Sequence, residues 1–125
     1  MTKHRHLPLS KETIAGAYEY LVTTPPFNEW NMPDASDISF RVMRRRDESA
    51  CIYRWREGKQ IRYQIGVSSG CVGHTMTLMV SIAHEMLHLH MDITGMSKSV
   101  AEHNAAFWQI ADEICQIHGF DPQSF

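Results

Sequence analysis

Hydrophobic periodicity predicts an α+β domain: one N-terminal helix, a three-stranded sheet and two C-terminal helices. Three observations carry that prediction. Ile14, Tyr18, Leu21 and Val22 recur at helical spacing behind Ser10, a residue suited to capping. From Phe40 onward, apolar residues alternate with polar ones in the two-residue rhythm of strands. Two apolar runs of helical length then follow, separated by Gly95.

The elements follow in order. A first helix is expected over residues 11–22, ended by Thr23-Thr24-Pro25-Pro26, since proline disfavours helix both at its own position and before it. A loop through Phe27, Trp30 and Pro33 leads, by way of residues 34–37, into a strand where Phe40, Val42 and Arg44 alternate. A second strand is expected over residues 51–56, with Tyr53 and Trp55 facing inward and Ile52 opposite them. Arg56-Glu57-Gly58-Lys59 reads as a hairpin turn into a third strand, residues 60–67, with Ile61, Tyr63, Ile65 and Val67 on one side. Ser68-Ser69-Gly70-Cys71-Val72-Gly73 links it to a helix over residues 75–93. The last helix is expected from about residue 100 to 118, stopped by Gly119. Its start is read from Ser99 and Glu102, which have capping-box spacing.

Size and composition set the frame. A chain of 125 residues accommodates one core, so residues 1–125 read as a single domain. Apolar content of 43% is ordinary for a soluble globular chain and argues against disorder. The opening Met1-Thr2-Lys3-His4-Arg5-His6 has no apolar stretch behind it, so no signal peptide is expected. The apolar run at residues 78–89 is too short and too polar for a membrane span. Cys51, Cys71 and Cys115 are odd in number and widely spaced. They read as reduced, mostly buried thiols, which implies a cytoplasmic protein. Charge is uneven: residues 1–36 carry a net −1, residues 37–62 a net +4 and residues 63–125 a net −5. The basic middle segment holds Arg41, Arg44, Arg45, Arg46, Arg54, Arg56, Lys59 and Arg62, but Asp47, Glu48 and Glu57 are interleaved with them. A solvated sheet face accounts for that pattern better than a nucleic-acid surface does.

The chemistry concentrates in His84-Glu85-Met86-Leu87-His88. Positions i and i+4 of a helix lie on one face, so both imidazoles can reach one metal ion. Glu85 is rotated about 100° from His84 and can act as a general base without being a ligand. Composition alone produces this five-residue pattern in about 3 of 100 such chains, so a third ligand must carry the argument. His103 is the candidate. It fills the gap between Val100 and Phe107 in the apolar series of the last helix, which places it on the face packed against the preceding helix. Glu102 is the reserve, although capping gives it a structural role. Glu113 falls on an exposed side. The compact HExxHxxGxxH arrangement is excluded, because Met91 and Thr94 occupy its glycine and final histidine positions.

His84-Glu85-Met86-Leu87-His88 followed by His103-Asn104-Ala105-Ala106-Phe107-Trp108 resembles the SprT-like (Spartan-like) metallopeptidase family, over residues 60–118. The resemblance implies a zincin-like core and one zinc ion held by His84, His88 and His103. It also implies Glu85 as catalytic base and a protein or peptide as substrate. Asn104 stands where that family commonly has glycine. The zinc ribbon of many members has no counterpart, since the chain has no CxxC pair, and a role on DNA–protein crosslinks is not implied. Asp92, one turn beyond His88, is expected either to orient His88 or to be a solvated carboxylate. His74 and Tyr63 are candidate oxyanion donors, His90 is expected at the surface, and His118 suits a helix C-terminus. If residues 60–67 form the sheet edge, an extended substrate could add to it. Two alternatives stand beside the peptidase: a regulatory protease with Glu102 as third ligand, and a zinc-bound interaction module without catalysis.

Overall fold

The computed structural model describes residues 9–125. The expectation for residues 1–6 therefore lies outside the described residues. The chain runs α1 (Lys11–Val22), β1 (Ile38–Met43), β2 (Ala50–Glu57), β3 (Gln60–Ser68), α2 (Thr75–Ile93) and α3 (Ala105–His118). Short 3-10 turns at Phe27–Glu29 and Ala35–Asp37 connect α1 to β1. This is the predicted α+β class, with three α-helices and one mixed sheet among the described residues.

Ser10 starts α1 through a reciprocal capping box. Its hydroxyl accepts from the Thr13 N–H at 3.2 Å, and Thr13 Oγ1 accepts from the Ser10 N–H at 2.8 Å. Ile14, Ala17, Tyr18 and Leu21 form the buried face. Opposite it runs α2, whose Ile82, Ala83, Met86, Leu87, Leu89 and Met91 are all fully buried. A helix buried on nearly every side is a central one, and α2 packs against α1, α3, β2 and β3. It ends in a Schellman motif: Gly95 takes φ 73°, and the Met96 N–H donates to the Met91 carbonyl at 2.8 Å.

The sheet order is β1-β3-β2, with β1 parallel and β2 antiparallel to β3. Residues 60–67 are thus the centre of the sheet and not its edge. The reason is burial: Ile65 to Ser68 is the most enclosed strand segment and pairs on both sides. β1 and β2 are the edges.

The facing of β2 also reverses the expectation. Ile52 pairs with Ile65 on the helix side and is buried, while Tyr53 and Trp55 lie on the outer face, 41% and 42% exposed. The period of two allows only one of these sets inward, and Ile52 on the buried Ile65 settles it. Arg44 lies beyond the end of β1 and is exposed.

The last helix starts later than expected. Asn104 caps α3, its Oδ1 accepting from the Phe107 N–H at 2.9 Å. Ser99 and Glu102 form no capping box; Glu102 Oε1 instead accepts from the Lys98 N–H at 2.7 Å. Asparagine is among the strongest N-caps, and Asn104 Nδ2 also donates to the Met96 carbonyl at 3.0 Å, tying down the loop ahead of the helix. No helix among the described residues is long and apolar enough to cross a membrane. The three cysteines are free. Cys115 is buried, Cys51 half-buried and Cys71 exposed, so the expected burial fails at Cys71.

Candidate metal centre

His84 and His88 project from one face of α2, one turn apart, and His103 approaches them from the loop just ahead of α3. Their Nε2 atoms form a near-equilateral triangle: 3.0 Å for His88–His103, 3.1 Å for His84–His103 and 3.2 Å for His84–His88. His103 therefore reaches the position expected of it, but from a loop and in an exposed setting instead of a buried helical stripe. These three histidines can hold a metal ion.

Phe107 is the floor of the group. It is fully buried, and all three imidazoles surround it at ring-centroid distances of 5.1, 4.6 and 4.7 Å for His84, His88 and His103. His88 stacks on it nearly parallel. The Asn104 cap fixes the first turn of α3, and so holds Phe107 under the ring cluster and His103 beside it.

Burial favours the neutral form of His84 and His88. Burial, and then the neighbouring His84 and His103, push His88 down to about 3. Burial, opposed by its bond to the Phe125 main chain and reinforced by His103, pushes His84 down to about 4. Neutral imidazole is the form that ligates metals. His84 Nδ1 lies 2.5 Å from the main-chain oxygen of Phe125. That oxygen only accepts, so Nδ1 carries the hydrogen and Nε2 is left with its lone pair facing the other two rings.

Glu85 is buried beside them, and burial together with Glu48 raises its carboxyl to about 8. Among the described residues it has no hydrogen-bond partner. It lines both cavities that meet at the histidines. One, of about 280 Å³, is walled by Ala50, Ile52 and Tyr53 of β2, by Glu48 and by the three histidines. The other, of about 100 Å³, is closed by Ser124 and Phe125. A buried carboxyl without a protein partner, turned toward a cleft, belongs to the site's chemistry more than to the fold.

Other expected residues lie elsewhere. Glu102 is occupied by the Lys98 amide and stands outside the cluster. Asp92 neither orients His88 nor is solvated: its side chain, 4% exposed, accepts from Tyr63 Oη at 2.5 Å and pairs with Arg54 at 2.6 Å, joining α2 to the sheet. Tyr63 is thereby removed from the cleft. His74 is the exposed N-cap residue of α2, ten residues before His84 and away from it. His90 is half-buried and stacks on Trp30 at 4.0 Å, correcting its expected surface position. His118 meets the Pro25 carbonyl at 2.7 Å. Glu113 is exposed, as expected. Within the basic segment, Arg45 pairs with Asp47 and Glu48, Arg54 with Asp92, and Arg62 with Glu57.

Three residues at the cleft, Arg45, Glu48 and Phe125, escaped the sequence reading. Glu48 and Arg45 reach the cleft because their loop is pinned to the turn after β3, where Ser68 Oγ donates to the Arg45 carbonyl. A Cβ at Gly70 would lie 2.5 Å from that same carbonyl, so the approach requires glycine there. Tyr53 reaches the cleft from the outer face of β2, and Phe125 returns to it from beyond α3. Only the Ser68-Ser69-Gly70 turn carried a signal in the sequence. No family model, curated protein or solved structure matches this chain.

Proposed function

We propose that the chain is a zinc-dependent metallopeptidase of SprT-like type, hydrolysing peptide bonds in protein substrates. The observation that carries this reading is the triangle of three bare ring nitrogens with an unpartnered, buried Glu85 beside it. The donor set fits the metal. Three nitrogens about 3.1 Å apart surround a centre about 1.8 Å from each in their own plane, close to the Zn–N distance of about 2.0–2.1 Å. Three histidines without a thiolate or carboxylate leave a coordination position free, as in catalytic zinc sites. Asn104, where the family has glycine, has φ −82° and needs no glycine.

The chemistry that zinc supplies there is Lewis acidity, which lowers the pKa of a water molecule from about 15.7 toward 7. The rest belongs to this chain. His84, His88 and His103 hold the ion as neutral donors. Glu85, buried beside the ligands, accepts a proton from the attacking water at a carboxylate oxygen and returns it to the leaving amine. The free edge of β2 runs beside the histidines, so an extended substrate segment can pair with its main chain there.

The test measures zinc per chain and peptide hydrolysis together. Wild type should carry one zinc. His103→Ala should lose it, while Glu102→Ala should keep it. Glu85→Gln should keep zinc and lose hydrolysis by about 10²–10⁴-fold. Folded wild-type protein that takes up no zinc when it is supplied would sink the proposal.

A further inference from the structure

We infer that Phe125 is a positioning residue of the metal centre, its main-chain oxygen setting the tautomer and the rotation of His84. The inference rests on the metal-centre reading and deepens it. A ligating imidazole commonly donates its second N–H to an acceptor, which fixes the ring and raises its basicity. Among the described residues, His84 alone of the three has one: Nδ1–H donates to Phe125 at 2.5 Å.

The route by which Phe125 arrives is built into the chain. Gly119 at φ 73° reverses the backbone after α3, and the Phe120 N–H donates to the Cys115 carbonyl at 3.0 Å. Phe120 is buried and stacks on His118, anchoring the return. A turn follows, with the Ser124 N–H donating to the Asp121 carbonyl at 2.9 Å and the Gln123 N–H to Asp121 Oδ1 at 3.0 Å. The strap then runs back along α3, bordering Trp108, Asp112 and Cys115, and ends on His84. There the Phe125 ring packs 5.1 Å from the His84 ring and 6.3 Å from Phe107. Ser124 and Phe125 also wall the cavity that Glu85 faces, so the same segment orients a ligand and encloses the base.

The ring and the main-chain oxygen make separable contributions, and the experiment separates them. Zinc affinity is measured by competition with a chromophoric chelator for wild type, Phe125→Ala and a chain lacking residues 124–125. Nitrogen NMR of the metal-free proteins reads the His84 tautomer. Wild type should show His84 protonated on Nδ1. The shortened chain should lose that signature and bind zinc about 10- to 100-fold more weakly, while Phe125→Ala, which keeps the oxygen, should stay near wild type. Unchanged zinc affinity in the shortened chain overturns the inference, as does an equal loss in Phe125→Ala. His84 protonated on Nε2 in metal-free wild type overturns it too, with no variant needed. If wild type shows the Nδ1 tautomer but binds no zinc, the orienting role of Phe125 stands and the metallopeptidase reading fails.

Discussion

At the scale of single residues, the centre depends on groups whose ordinary protonation the fold reverses. His84 and His88 fall from 6.5 to about 4 and about 3, chiefly through burial. In metal-free protein, unfolding therefore takes up protons below pH 6.5, and stability falls as the pH drops from there. Glu85 moves the other way, from 4.5 to about 8, through burial and then Glu48. The stability carried by its neutral form is complete below pH 4.5 and is lost as the pH rises through 8. Between pH 4.5 and 6.5 the two histidines outweigh the one carboxyl, so metal-free protein should be most stable near pH 6.5. Urea unfolding in chelator across that range checks this, and Glu85→Gln should flatten the alkaline side and steepen the rise between pH 4.5 and 6.5. An alkaline decline that persists in Glu85→Gln would refute the assignment. Phe107→Ala removes a fully buried ring and should cost about 3–5 kcal/mol, with zinc binding lost alongside. The sequence disclosed His84, Glu85 and His88 because helical spacing alone places them. It could not disclose Phe125, whose contribution is a main-chain oxygen that any residue carries.

Among elements, the helices were the more legible part of the fold. The bounds of α1 and α2 follow from a serine cap, a double proline and Gly95, all local signals. The start of α3 was misread because two capping patterns compete within six residues, and spacing alone does not rank Ser99 with Glu102 below Asn104 with its bond to Met96. His103 joins His84 and His88 although the helical argument for it fails, since the loop delivers it to the same place. Asn104→Ala should cost about 1 kcal/mol and weaken zinc binding by loosening His103, whereas Asn104→Gly should cost only a few tenths. Unfolding midpoints and zinc competition distinguish the two. The sheet was less legible. Pairing order is non-local, and inward facing was inferred from aromatic residues when Ile52 and the Arg54–Asp92 pair decide it. Asp92 is buried in a bond from Tyr63 and a pair with Arg54, so Tyr63→Phe should destabilise by about 1–3 kcal/mol by leaving that carboxylate short of a donor. Because the pair lies one turn beyond His88, zinc content should be unchanged.

Taken as a whole, the molecule arranges its layers so that one central helix serves both the core and the centre. α2 packs on two helices and two strands, and His84 and Glu85 in its middle line the cleft. The triangle of nitrogens also has a polymer-physics consequence. His88 and His103 are 15 positions apart in the chain, with the Schellman turn and the whole loop ahead of α3 between them. An ion gripped by both would act as a reversible cross-link, closing a ring of that contour in the unfolded ensemble as well as in the folded one. A covalent link across about 15 residues restricts the unfolded chain by about 3 kcal/mol, which sets the scale for a tightly held ion. Residues 94–102, which contain few buried side chains of their own, should then exchange their amide hydrogens markedly faster once the ion is stripped, while the middle of α2 changes little.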